Sequence, residues 1–155
     1  MEIEVKKAKT ENLQDCVKAL DHSTLSTTYF PTEENRIYVV KEAIDSGNTY
    51  VVFYKGECVG FLYYMEQGAF HSFPYIHLIA IKEAYRGKGV GRKLLEFVEH
   101  KLFETRDKIF LVVGEYNPEG KNFYKNLGYM CVGTIPSLYR EEVDENIMMK
   151  VSHKK

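Results

Sequence analysis

Three cysteines in 155 residues, Cys16, Cys58 and Cys131, are too few and too scattered for a disulfide framework. Their number is odd, and no CxxC pair offers a zinc-binding arrangement. Each sits in an apolar stretch, which predicts a reduced thiol in or near the core. Long hydrophobic runs are also missing. Segments such as IFLVV at 109–113 are far too short to span a bilayer. The opening MEIEVKKAKT has no apolar region of the signal-peptide kind. These absences predict a cytoplasmic chain with no membrane partner. Neither charge is in excess: 21 Lys and Arg against 22 Asp and Glu leave a formal net charge of −1. Bulk electrostatics therefore gives no footprint for nucleic acid. No repeat, linker or low-complexity tract interrupts the sequence, so residues 1–155 read as one domain able to bury a sizeable core.

The segments that are present alternate between two periods. EIEVKKA at 2–8 has the period of a strand. Thr10 is placed to cap a helix through LQDCVKAL, and TYFPTEEN breaks it. Thr32 caps a second helix with Glu33 and Glu34 in its first turn, ending near Ser46 and Gly47. TYVVFY and ECVGFLYYM flank Lys55 and Gly56 as a β-hairpin. PYIHLIAI at 74–81 is a further strand, and 90–104 an amphipathic helix built on Leu94, Leu95, Val98 and Leu102. IFLVVGE is nearly all apolar, suited to a sheet interior. Asn117 and Pro118 open the last helix, and Gly128 closes it. YMCVG and ENIMMKV are the last strands, joined by TIPSLYREEVD. The predicted class is α+β, a mixed central sheet of about seven strands flanked by about four helices. Its middle strands are parallel because a helix must cross over between them.

Between strand and helix lies AYRGKGVGRK, with Gly87, Gly89 and Gly91 interleaved with Arg86, Lys88 and Arg92. The first amides of a helix have no intrahelical acceptors and face the positive end of its dipole. Glycines let successive N–H groups converge on phosphate oxygens, and the cations add charge-assisted contacts. The Rossmann pattern GxGxxG fails because Arg92 stands at its third glycine, and no Gly-Lys-Ser/Thr completes a Walker A loop. A nucleotide-binding reading is thereby disfavoured.

What remains is Arg86-Gly87-Lys88-Gly89-Val90-Gly91. It resembles the acetyl-coenzyme A loop of the GNAT (Gcn5-related N-acetyltransferase) superfamily, Arg/Gln-x-x-Gly-x-Gly/Ala. HLIAIKEAYRGKGVGRKLLEFVE resembles that family's central motif over its full length. NPEGKNFYKNLGY, from Asn117 to Tyr129, resembles its next motif, with Gly120 in place of the usual alanine. The predicted element order is also similar to the family fold from end to end. The resemblance implies acetyl-CoA as cosubstrate, with its pyrophosphate on the backbone of Arg86, Gly87, Lys88, Gly89, Val90, Gly91 and Arg92. It implies that backbone groups along Ile79, Ala80 and Ile81 carry the pantetheine arm, where neighbouring strands splay, and that Asn117 contacts the cofactor. Asn117 is equally suited to a plain N-cap, and the two roles are compatible.

Acetyl transfer to an amine needs three things. A base must take a proton from an ammonium of pKa about 10.4. A backbone N–H must stabilise the oxyanion. A weak acid must protonate a thiolate of pKa about 8.5. The resemblance implies Tyr124 as that acid; helix packing with Leu127 is its structural alternative. For the base, His77 lies on the same strand face as Ile79 and Ile81 and titrates near neutrality. Glu115 ends the neighbouring strand and is a second candidate, and a water relay is a third. His22, His71, His100 and His153 form no constellation, and no metal-ligand spacing appears.

In such proteins the acceptor site is built by the first two helices and the last hairpin. That implies Tyr29, Phe30 and Tyr139 as aromatic walls. Glu33, Glu34, Glu141 and Glu142 would suit a cationic amine, or are simply solvated. The acceptor is a small-molecule or peptide amine. Relatives that acetylate protein N-termini resemble this chain in the last hairpin but often carry a carboxylate where it has Val112. By analogy the exposed edge of that hairpin is a candidate for homodimer pairing. The reading from another class is a non-catalytic acyl-CoA-binding sensor or interaction module on the same fold.

Overall fold

The alternating IEVKK forms β1 (Ile3–Lys7), which pairs antiparallel with β2 (Thr49–Tyr54) so that Val5 faces Val52. In this computed structural model, which describes residues 2–152, the first helix starts later than Thr10. Thr10 lies inside a 3-10 turn, Thr10–Asn12, and the Lys9 N–H donates to the Asn12 carboxamide oxygen at 2.8 Å. Asn12 is the N-cap residue of the helix that follows but makes no side-chain bond to its first turn; its oxygen is taken by Lys9, at the start of the 3-10 turn. Helix α1 (Leu13–Leu20) buries Cys16, Val17, Ala19 and Leu20.

The sequence reading expects only a break after α1. The structure inserts a further short helix, α2 (Thr24–Tyr29), so the described residues form five α-helices where about four are expected. Its residues are weak helix formers. The cap supplies what propensity lacks: Ser23 Oγ accepts from the Ser26 N–H at 3.0 Å. Helix α3 (Glu33–Asp45) starts as expected, with Thr32 Oγ1 accepting from the Asn35 N–H at 3.1 Å. It ends at Ser46, and Gly47 follows at φ 81°.

Lys55 and Gly56, at φ 50° and 85°, make the tight turn from β2 to β3 (Glu57–Ala69). β3 runs past the expected Met65, and a turn with Phe70 and His71 at φ 55° and 63° leads to β4 (Phe73–Ile81). Then follow α4 (Val90–Leu102), β5 (Lys108–Gly114) and α5 (Pro118–Asn126). β6 (Met130–Arg140) and β7 (Val143–Val151) absorb most of TIPSLYREEVD, which the sequence reading takes for a connection. The sheet order is β1-β2-β3-β4-β5-β7-β6. The parallel pair is β4 with β5, Tyr75 opposite Phe110. β5 and β6 both run antiparallel to β7. β6 is an edge strand, which explains how it tolerates Pro136 and two shifts of register.

The chain gathers into two compact units. The first comprises Met1–Tyr64 and Leu78–His100, with Leu20, Phe61, Leu62, Leu94 and Leu95 among its fully buried side chains. The second comprises Met65–His77 and Lys101–Lys155, with Ile109, Leu111 and Met148 fully buried. Cys16 and Cys58 are buried thiols of the first unit, as expected. Cys131 is exposed, because β6 turns that position to solvent at the sheet edge. Among the described residues no helix is long and apolar enough to cross a membrane.

Candidate active site

The glycine loop belongs to the first unit. Gly87 and Gly89 stand at φ 76° and 82°, a region that side chains other than glycine rarely adopt. A Cβ at either would meet no atom within 4 Å, so backbone conformation rather than crowding within the protein requires glycine. Val90 is buried and pins the start of α4. The Lys93 N–H donates to the Gly89 carbonyl at 3.1 Å. The amides of Val90, Gly91 and Arg92 precede that bond and point out of the helix N-terminus. Lys88 and Arg92 are exposed beside them, Arg92 reaching Glu96 at 3.4 Å.

Arg86 does different work from that expected. Its Nε donates to the Ile81 carbonyl at 2.7 Å and Nη1 to the His22 carbonyl at 2.9 Å. Nη2 donates to the carbonyls of Asp21 at 3.0 Å and Ala19 at 3.4 Å. Its N–H donates to the Glu83 carbonyl at 3.3 Å. The guanidinium thus ties the end of β4 to the C-terminal end of α1, where carbonyls lack helical partners. Charge for a ligand on this loop falls to Lys88 and Arg92.

Along β4 the odd positions, including Tyr75, His77, Ile79 and Ile81, are half-buried while Ile76, Leu78 and Ala80 enter the core. Ala80 therefore offers only backbone to that half-open face. Gly60 on β3 has no room for a side chain: its Cβ would stand 2.6 Å from the Ala80 carbonyl oxygen and 3.3 Å from Ile81 Cα. That close approach holds β4 where the loop begins.

In the second unit, Asn117 caps α5, its carboxamide oxygen accepting from the Gly120 N–H at 3.0 Å. The glycine at 120 fits this rotamer, because a methyl there would lie 2.5 Å from Asn117 Nδ2. Tyr124 follows two turns into the motif. Its ring is partly accessible and meets Phe123 and Tyr129 edge-on at 5.2 and 5.8 Å. Its hydroxyl is enclosed, and that burial pushes the phenol well above its ordinary value.

The same unit holds a cleft of about 380 Å³. Apolar side chains from β3, β5, β6 and β7 line it, including Met65, Phe110, Val112, Leu138 and Ile147. Its polar groups are Tyr75, His77 and Tyr139. The Tyr75 and Tyr139 hydroxyls are 3.3 Å apart. Burial first, then the Tyr139 hydroxyl and the negative charge of Glu145, raise the Tyr75 phenol. Glu145 is 2% exposed and lies opposite Ile135, a cleft residue.

Of the residues singled out from sequence, His77 and Tyr139 line this cleft. Glu115 is exposed and outside its lining; its N–H donates to the Asp144 carbonyl at 3.0 Å. Tyr29 and Phe30 pack edge-on at 6.5 Å in the first unit, where the Phe30 carbonyl accepts from Arg36 at 2.9 Å. Glu33, Glu34, Glu141 and Glu142 are exposed and line no part of the cleft, so the solvated reading holds for them. His22, His71 and His100 are exposed, and His153 lies outside the described residues. Tyr75 is the polar cleft residue that the sequence reading misses. The alternation that groups His77 with Ile79, followed two residues back, finds it.

A model of the acetyltransferase (GNAT) family matches residues 17–129, which take in the loop, both ends of β4 and the Asn117 motif. The chain belongs to the GNAT acetyltransferase family. Acetyl transfer is the general chemistry of that family. A curated but uncharacterised protein of Mycobacterium leprae is 33% identical over 102 residues. That match takes in 64% of this chain but 28% of the relative, so the chain spans under a third of that relative's length. Among solved structures, Naa50 of Arabidopsis thaliana, in complex with the bisubstrate analogue CoA-Ac-MVNAL, is 26% identical. It aligns over 98% of this chain and 100% of its own at TM-score 0.73. Ard1 from Thermoplasma volcanium is 19% identical over 99% and 100% of the two chains at TM-score 0.81, a likeness of fold.

Proposed function

We propose that this protein is an acetyl-CoA-dependent N-acetyltransferase that moves the acetyl group directly to a primary amine in a ternary complex. The observation that carries the reading is the loop 86–92, with Gly87 and Gly89 at φ 76° and 82° ahead of the α4 amides. Such a backbone suits a pyrophosphate, and the open outer face leaves room for one. Acetyl-CoA supplies a thioester carbon open to attack by nitrogen. Lys88 and Arg92 neutralise phosphate charge. Backbone groups of Ile79, Ala80 and Ile81 hold the arm. The Asn117 amide nitrogen is a further donor, since its oxygen is used by the cap.

Tyr124 is the acid in this reading. A phenol is protonated at neutral pH and so has a proton to give as the C–S bond breaks. Burial of Tyr124 in the free protein raises its phenol and weakens it as a donor, so the role requires that the bound thioester loosen that enclosure. The base takes the ammonium proton before the amine attacks. His77 on the cleft wall is better placed for an amine in the cleft than exposed Glu115, with a water relay as the remaining route. The cleft receives the acceptor, and the CoA-linked peptide held by Naa50 supports a peptide as one form of it.

A thermal-shift comparison of acetyl-CoA, CoA, ATP and NAD tests the assignment. A ligand at a hundredfold excess over its dissociation constant adds about 2.7 kcal/mol of apparent stability. A shift with the two CoA species alone, followed by transfer to at least one amine, is expected. A shift with ATP or NAD and none with CoA would overturn it. Tight CoA binding with no transfer to any amine would leave a sensor in its place.

A further inference from the structure

We infer that the acceptor is a primary amine carrying a large apolar group, aromatic or long aliphatic, with no second charge near it. This rests on the transfer reading above. Among the described residues no Asp, Glu, Lys or Arg lines the cleft. Its volume, about 380 Å³, is at the small end for ligand sites and fits one large side chain better than an extended polycation. A second ammonium seated there would lose its water, and the buried acid whose charge reaches Tyr75, Glu145, lies outside the lining and already has a partner. The acids at 33, 34, 141 and 142 are solvated elsewhere.

The rim strengthens the inference. Phe70 is 70% exposed and Leu138 39%, apolar side chains held at the surface beside the cleft. Phe70 packs edge-on against Phe110 at 5.3 Å. Both residues ride on costly backbone. Of six non-glycine residues at positive φ among the described residues, four are Phe70, His71, Ser137 and Glu142. They sit in the turn that carries Phe70 and in the β6 bulge and turn that carry Leu138 and Tyr139. Hydrogen bonds hold the bulge: the Ser137 N–H donates to Asp144 at 3.3 Å, and the Glu142 N–H to Ser137 Oγ at 3.3 Å. Strain kept in place at a surface signals a functional demand. Here the demand is an apolar mouth, wetted only by Tyr75, His77 and Tyr139.

A free arylalkylamine and the first residue of a peptide share this chemistry. The test measures kcat/KM with acetyl-CoA for n-propyl-, n-butyl-, n-pentyl- and n-hexylamine, phenethylamine and 1,5-diaminopentane. A second arm uses one peptide body beginning with Phe, Leu, Ser or Lys. Each added methylene should raise kcat/KM about fourfold, from ~0.8 kcal/mol per buried methylene. n-Hexylamine should exceed the near-isosteric diamine by roughly tenfold or more. Phe or Leu should lead the peptides, and the arm with the higher kcat/KM identifies the source. Leu138→Ser should lower the apolar amines roughly tenfold and leave the acetyl-CoA thermal shift intact. A flat alkyl series, or a preferred diamine or Lys peptide, with the thermal shift intact, overturns this inference alone. No acetyl-CoA shift and no transfer to any amine overturns the transfer reading, and this inference with it.

Discussion

The loop and the cleft are built in opposite ways. The loop is a run of consecutive residues in the first unit whose backbone does the work, with Gly87 and Gly89 at positive φ and the α4 amides beyond them. The cleft is gathered in the second unit from five strands and a turn, and its side chains do the work. In the proposed reading, the loop meets a pyrophosphate common to every molecule of one cosubstrate, which backbone amides recognise without choosing among side chains. In the same reading the cleft meets the acceptor, which differs from one enzyme to the next and calls for a site made of parts that change without disturbing the fold. The difference predicts which substitutions matter where.

Tyr124→Phe tests the side-chain half most severely. If the hydroxyl protonates the leaving thiolate, turnover should fall on the order of a hundredfold or more while acetyl-CoA affinity holds. Wild-type turnover would remove Tyr124 from the chemistry. Gly89→Val tests the backbone half. A β-branched residue at φ 82° is strained, and straightening the loop moves the amides off the phosphates. Affinity for acetyl-CoA should drop about five- to thirtyfold, as a strain of roughly 1–2 kcal/mol implies. Unchanged affinity in a calorimetric titration would sink the loop assignment.

Two cations of the loop sharpen the contrast further. Arg86→Met strips the donors from four backbone carbonyls and should lower the melting temperature of the free protein, by a loss on the order of 1–3 kcal/mol. Lys88→Met should leave melting alone and weaken acetyl-CoA severalfold, with a smaller effect at high salt. The opposite pattern would mean that Arg86 faces the ligand after all.

Legibility follows the same division. Short-range rules found the loop and the caps at Thr32 and Asn117, because each depends on residues within one turn. The parallel pairing of β4 and β5 was legible from the crossover. Helix α2 was not, because a single serine cap outweighs a sequence of poor helix formers. β6 was cut short because Pro136 and Gly133 read as a connection, although an edge strand accepts both. Arg86 looked like a phosphate ligand because its partners Ala19, Asp21 and His22 are remote in sequence. Met65, Phe110 and Leu138 could not be grouped at all, since register and the strained bulge bring them together.

The smallest effect concerns pH. The Tyr75 phenol is raised, by burial above all, from an ordinary value of 10.0. Below about pH 10 it is protonated in both folded and unfolded chains, so its contribution is constant. Above that the unfolded chain releases the proton and the folded chain keeps it, so stability falls as pH rises. The slope is about 1.4 kcal/mol per pH unit for one phenol. Tyr75→Phe removes that proton from the balance. The stability gap between variant and wild type, read from urea midpoints at pH 9, 10 and 11, should be flat to pH 10 and then shift in favour of the variant. A gap that stays flat to pH 11 would mean that water reaches the Tyr75 hydroxyl. The cleft would then be wetter than its lining implies, and its distinction from the open loop weaker.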